Sequence, residues 1–351
     1  MCNIAGYIGK KQAAPILIDM MRREEGYAGG YYTGMTVHDG EGLHTEKCVG
    51  PLDTLLAKTA AASLVGTVGF IHSRSKSGGD REWGQPFLSG DGRSSLIANG
   101  AAGIFLTPEM EKKRCDTAMS LERDGYTFFS RTRGVVGKYP ALADGTAIHS
   151  TDLMCQYVTR LIDGGMDPER AMSEVMSELP CEAVVLLMRE ECPDDIFISR
   201  INYPMTVGVA EDGDIYFATT RLAFPEDVAF REITLLPPMQ TYELMRGGYR
   251  AAADPIRLTE QVTEITPALV ERAYPRFVGA LAESGRPLSG AELLSSYEEI
   301  WPEGALTQRE PLLYVLLERL AAEGRLAVFP HKEEGAAEGY PATRFGISLK
   351  Q

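Results

Sequence analysis

The chain has 351 residues, 44% hydrophobic and 24% charged, the make-up of a globular protein with room for two domains. Its formal net charge of −14 argues against nucleic acid as a partner, because phosphate binding needs a basic field. No apolar run approaches the roughly 18 to 20 residues that span a bilayer; with no signal-peptide pattern at the start either, the expected compartment is the cytoplasm.

In chain order, short strands broken by glycine dominate the first two-thirds. Candidates are Asn3–Ile8, Gly34–His38, Thr67–His72, Ser94–Asn99, Ala183–Met188, Ile196–Ile201, Tyr203–Val209, Asp214–Ala218, Glu232–Leu236 and Gln240–Met245. Runs such as AVVLLM are continuously apolar, as in strands covered on both faces. Helical patterns interrupt them at Pro15–Arg23, Thr107–Asp124, Ser150–Asp163 and Pro168–Leu179, with Thr107 and Pro108 suited to N-cap and first-turn positions. Gly134–Thr146, rich in Gly and Ala, reads as an inserted loop. This grouping predicts a layered α+β domain over residues 1–250.

Residues 251–266 read as a linker, and 267–351 have a different texture. Pro267–Glu283, Gly290–Ile300 and Thr307–Glu323 are amphipathic helices, followed by strands Leu326–Pro330 and Thr343–Leu349 around the polar loop HKEEGAAEGYPA. Three helices and a β-ribbon predict a small winged-helix domain. From Ile265 onward there are 9 Lys+Arg against 12 Asp+Glu, and the third helix carries only Arg309 and Arg319 as cations. A DNA-reading helix presents a basic face. The expected use of this module is therefore contact with its own chain, a second copy or an acceptor enzyme, and the isolated fragment is expected to fold without binding DNA.

Six cysteines (Cys2, Cys48, Cys115, Cys155, Cys181, Cys192) and five histidines lie scattered, with no CxxC or HExxH spacing. Free thiols are expected, with no metal and no cofactor. The opening MCNIAGYIG carries the most chemistry. A cysteine directly after the initiator methionine is small enough for Met1 to be removed. Its thiol and α-amino group then share one residue, so the amine can serve as general base.

MCNIAGYIG resembles the start of class II glutamine amidotransferases, in particular the glutaminase domain of glucosamine-6-phosphate synthase, whose pattern is C-G-I-x-G-Y-x-G. EGYAGGYYTGMTV resembles that family's R-G-Y-D-S-A-G segment, FIHSRSKSGG its H-T-R-W-A-T-H-G loop, and LIANG its V-x-H-N-G. GYTFFS with HSTDLMCQYV resembles the segment ending S-x-T-D-T-E, and ISRINYPMTVGVAEDGDIYFATT resembles the strands that close the sheet. The likeness spans about residues 2 to 250. It implies a four-layer αββα N-terminal-nucleophile sandwich of two mainly antiparallel sheets.

By that resemblance Cys2 is the nucleophile, and Asn99 with Gly100 forms the oxyanion hole. Arg74 clamps the α-carboxylate of glutamine, Ser75 and Ser77 lie in the substrate-covering loop, and Asp152 receives the α-ammonium. The sequence also departs from the pattern. Asn3 replaces the glycine beside the nucleophile, Ala28 and Gly29 replace Asp-Ser, Ser75 replaces a tryptophan, Gly78 a histidine, and Gln85 another histidine. The synthase's two isomerase domains have no counterpart in the pattern after residue 250. Three readings stand open: an amidohydrolase acting on glutamine or a similar γ-amide, with ammonia released to a partner; an altered domain kept as a sensor or scaffold; or another N-terminal cysteine hydrolase of the choloylglycine type. The order of Arg74 and the Asn-Gly pair argues against the last.

Overall fold

The computed structural model describes residues 2–76, 78–134 and 137–350. Alternation along single strands explains why its two sheets stack. In β1 (Asn3–Ile8), Ile4 and Ile8 join one buried cluster while Ala5 and Tyr7 join another. β4 (Val68–Arg74) and β10 (Ile215–Ala218) divide in the same way, with Phe70 and Phe217 on one face and Ile71 and Tyr216 on the other. Strands that bury both faces need a layer on each side.

The first sheet has the order β11 (Phe230–Leu235), β9 (Thr206–Ala210), β10, β1, β4, β2 (Tyr32–His38) and β3 (Leu43–Val49). The second runs β13 (Gly248–Ala251), β12 (Gln240–Met245), β8 (Asp195–Arg200), β7 (Glu182–Arg189), β6 (Ser94–Ala101) and β5 (Phe87–Leu88). Every strand pairing within both sheets is antiparallel. Ile4, Phe70 and Phe217 of the first sheet meet Val184, Leu186 and Ile198 of the second in the central core. α1 (Ala13–Ala28) and α2 (Leu52–Lys58) cover the outer face of the first sheet. α4 (Ser150–Asp163) and α5 (Pro168–Glu178) cover the second, with α3 (Pro108–Arg123) packed beside α4.

Several elements differ from the sequence reading, each for a physical reason. α1 runs five residues past Arg23 because Glu24 and Glu25 are buried, and Glu25 Oε1 accepts from Ser73 Oγ and Leu52 N, both at 2.8 Å. β3 has no clear apolar alternation (LHTEKCV) because it is a half-exposed edge strand. The expected linker is not loose: Ile256, Leu258 and Val262 pack into the core under α5, and Asp254 O accepts from Ser173 Oγ at 2.8 Å. The described residues of Gly134–Thr146 form no helix or strand; Ala141 makes one isolated bridge to Ala147, and Val135 and Val136 lie outside the described residues.

The C-terminal segment consists of α6 (Pro267–Glu283), α7 (Gly290–Ser295), α8 (Arg309–Ala322) and a ribbon of β14 (Leu326–Ala337) and β15 (Tyr340–Leu349). α7 is shorter than expected and continues as a separate turn at Glu298–Ile300. The ribbon is longer than expected, because HKEEGAAEGYPA extends the pairing, with Glu333 bridging Arg344 at 3.4 Å. This segment sits directly on α1 and the first sheet. Tyr27 of α1 meets Tyr314 and Phe345 edge to face, and a Cβ on Gly26 would lie 2.4 Å from the Phe345 ring. Glu318 accepts from Thr220 Oγ1 at 2.8 Å and Arg221 N at 3.0 Å, and Arg344 donates to Gly29 O.

Candidate functional site

Cys2 enters β1 on the inter-sheet side, the side of Ile4, because side chains alternate along a strand. Its backbone nitrogen donates to Asn99 Oδ1 at 2.9 Å, so the start of the first sheet is pinned to β6 of the second. Asn99 is fully buried, and its Nδ2 has no hydrogen-bond partner among the described residues. An unpaired buried donor is costly, and a ligand that reaches it can complete the bonding. Gly100 follows at φ +150°, where a Cβ would sit 2.1 Å from Glu182 O, so the position demands glycine.

Cys2, Arg74, Ser75 and Gly100 share the wall of a cavity of about 430 Å³. Arg74 is buried; its Nη1 donates to Trp83 O at 2.6 Å, Nη2 reaches Gly78 O at a long 3.4 Å, and the guanidinium stacks over Tyr32 at 4.8 Å. Ser75 Oγ lies 3.9 Å from Cys2 Sγ. Ser77 lies outside the described residues. Asp152 stands apart from the other candidates. Its neighbours Thr151 and Leu153 line the cavity, but its own carboxylate is fully buried and already accepts from Ser130 N at 3.0 Å, Ser130 Oγ at 2.8 Å and Gln156 Nε2 at 3.0 Å. Burial pushes its pKa upward against those hydrogen bonds.

The sequence departures acquire partners. Asn3 points to the opposite face of β1, where its Oδ1 accepts from Ala28 N at 3.0 Å and Gly29 N at 2.8 Å. Asn3 and the Ala28-Gly29 pair, two departures from the family pattern, are thus in contact, a polar side chain on one segment meeting bare backbone on the other. Gln85 donates to Ala98 O at 2.9 Å and accepts from Ala98 N at 2.6 Å, bracing β6 one residue before Asn99.

Two histidines were not singled out from the sequence. His72 is fully buried on β4, and its Nε2 lies 3.1 Å from Ala98 O. Burial pushes the Cys2 thiol up, but the nearby His72 imidazole and the chain's amino group pull it down, to about 6. His149 lines the cavity against Trp83, Phe87 and Tyr139. Burial, reinforced by Arg74, His72 and Lys47, holds it well below the usual imidazole range and keeps it neutral. The signal for His72 was its place two residues before Arg74 in FIHSR. For His149 no sequence signal separates it from a capping residue, and its Nδ1 does accept from Thr151 N at the start of α4. Among the described residues no group of three or more His, Cys, Asp or Glu is placed to hold a metal, and no helix is long and apolar enough to cross a membrane.

No family model matches the chain. It is similar to the isomerizing glutamine–fructose-6-phosphate aminotransferase of Clostridium tetani, 28% identical over 214 residues, covering 60% of this chain and 30% of the relative. The same enzyme of Zymomonas mobilis is 26% identical over 303 residues, covering 85% of this chain and 44% of the relative. The chain therefore spans less than half the length of these curated relatives. Among solved structures, the glutamine phosphoribosylpyrophosphate amidotransferase of B. subtilis superposes with a TM-score of 0.57 at 14% identity, covering 99% of this chain and 72% of that one. The sequence similarity is thus to part of the glutamine–fructose-6-phosphate aminotransferases, the glutaminase domain, and the mixed α/β fold is similar to that of the amidotransferase structure.

Proposed function

We propose that this protein is a glutaminase-type amidohydrolase in which Cys2, freed by removal of Met1, attacks the side-chain amide of glutamine or a similar γ-amide. The observation that carries the reading is the divided amide of Asn99. Its Oδ1 holds the nitrogen of Cys2 at 2.9 Å, and its Nδ2 is buried with no partner among the described residues. After Met1 is removed that same nitrogen is the α-amine, so one side chain orients the nucleophilic residue and offers a donor to the developing oxyanion. Preorganised donors of this kind carry much of the stabilisation in acyl transfer.

In this reading the Cys2 thiolate adds to the amide carbon, and Asn99 Nδ2 with Gly100 holds the tetrahedral oxyanion. Loss of ammonia leaves a thioester that water cleaves. Arg74 takes the α-carboxylate by giving up its long contact to Gly78 O, a task suited to a forked guanidinium. Asp152 supplies negative charge for the α-ammonium from behind Thr151 and Leu153, and direct contact requires Ser130 to release a hydrogen bond. Ser75 and Ser77 belong to the covering loop. Ammonia passes to an acceptor enzyme or is simply released. The C-terminal segment is read as a winged-helix-like module, residues 267–351, joined to a catalytic region of about 250 residues through residues 251–266. It serves as a packing and docking unit rather than a nucleic-acid reader.

A second reading, an altered domain kept as a sensor or scaffold, draws on the saturated carboxylate of Asp152 and on the carbonyl groups that already engage Arg74. Ammonia release from glutamine decides between them. Protein whose intact mass shows loss of Met1 should release ammonia, and Cys2→Ser should release none. Equal rates for both proteins would overturn the amidase reading.

A further inference from the structure

Burial raises Cys2 and four other thiols of this protein, and in Cys2 alone of these five the net shift is downward. Cys48 and Cys181 are pushed up to about 11 and about 12 by burial, and Cys155 and Cys192 are also pushed up. Cys2 is as thoroughly buried and is alone among these in facing an imidazole. The ring of His72 is fixed by one hydrogen bond. Ala98 O can only accept, so Nε2 carries the hydrogen, and in neutral His72 the lone pair belongs to Nδ1. Nδ1 is buried and has no conventional hydrogen-bond partner among the described residues. The pairing of Ile4 with His72 in the β1–β4 ladder puts the His72 side chain on the face that Cys2 also occupies.

We infer that His72 is a catalytic base in its own right, taking the Cys2 thiol proton on Nδ1 alongside the α-amino group; the inference rests on the reading of Cys2 as nucleophile. The S–H bond breaks, the proton moves to Nδ1, and a thiolate–imidazolium pair remains. The sulfur then forms its bond to the amide carbon as the C=O electron pair moves to oxygen. On collapse the C–N bond breaks, and Nδ1–H returns the proton to the departing NH2, which leaves as ammonia. The low value of about 6 for the thiol, against the upward push of burial, agrees with this pairing. Other charged or titratable groups near the thiol are Arg74 and His149 on the shared cavity wall, the latter held neutral by burial, and Tyr203 before β9, whose phenol burial keeps neutral.

The test is the pH dependence of Cys2 alkylation by iodoacetamide, read by mass on the N-terminal peptide. Three full-length proteins are compared: the native chain, His72→Gln, and a form with one extra residue before Cys2, which removes the adjacent amine. Glutamine at position 72 can keep the hydrogen bond to Ala98 O while losing Nδ1. If His72 is the base, the native and extended forms both show an inflection near 6. His72→Gln then shifts toward the ordinary thiol value of about 8.5, slowing alkylation at pH 7 on the order of 30-fold. An inflection near 8.5 in the extended form, with His72→Gln unchanged, would overturn the role of His72 and leave the amine as sole base, with Cys2 still the nucleophile. If native, Met1-free protein showed no inflection below about 8, the activated-cysteine reading itself would fall. The extended form keeps the test decisive where His72→Gln does not fold.

Discussion

Two neighbouring residues, Cys2 and Asn3, open onto opposite faces of β1, and the two polar clusters they meet behave differently. On the Cys2 face, Asn99 Nδ2 and His72 Nδ1 are buried without hydrogen-bond partners among the described residues, and their neighbours Cys2, Ala98, Gly100 and Arg74 line a cavity of about 430 Å³. On the Asn3 face, Asn3 Nδ2, both oxygens of Glu24 and Tyr314 Oη are likewise unpaired among the described residues. There α1 and α8 close over them, with Tyr27 and Tyr314 packed edge to face at 6.0 Å. Unpaired polar atoms therefore do not by themselves define a site. What separates the two faces is the cavity of about 430 Å³ that Cys2, Arg74 and Gly100 line on one side, against a space of about 100 Å³ beside Tyr314 on the other.

The largest effect is expected at Asn99. If its free Nδ2 is kept for an oxyanion, Asn99→Ala lowers the rate of amide hydrolysis on the order of 100-fold or more. An unchanged rate in the folded variant would remove Asn99 from the catalytic reading and make the two faces equivalent.

A smaller effect is expected on the other face, in stability. Burial holds the Glu24 carboxyl well above the usual carboxylate range. Below that ordinary range Glu24 is protonated in both folded and unfolded chains, and its contribution to stability is fully present. As pH rises the unfolded chain loses the proton first, so that contribution is lost progressively up to the raised folded value. Glu24→Gln should remove this pH dependence. At pH 8 we expect it to be the more stable protein by about 1 to 3 kcal/mol, with the gap closing toward pH 4. A variant less stable at every pH in denaturant titrations would show that the carboxylate is paired and charged in the native protein.

How much of this was legible in the sequence depended on whether the signal was local. Asn3–Ile8 and Ser150–Asp163 match the observed elements because apolar alternation and a clean helix start lie within one segment. Leu43–Val49 was not anticipated, since an edge strand with an exposed polar face has little alternation to read. The same limit applies to the site. Cys2, Arg74, Asn99 and Gly100 are proposed from motif order, whereas His72 gains its meaning from Ala98, 26 positions away. Asn3 and Ala28-Gly29 read as unrelated departures until the hydrogen bonds across 25 and 26 positions joined them. Asp152 was visible as a motif residue, but nothing local indicated that Ser130 and Gln156 already occupy its oxygens.

The proposed chemistry turns on Cys2, carrying a free α-amine, as the residue that attacks a γ-amide. Its most direct test is to treat Met1-free protein with an electrophilic glutamine mimic and map the adduct by peptide mass. The account predicts a single adduct on Cys2, formed more slowly when glutamine is present and absent from Cys2→Ser. No adduct, or one on any of the other five cysteines that glutamine does not protect, would contradict it.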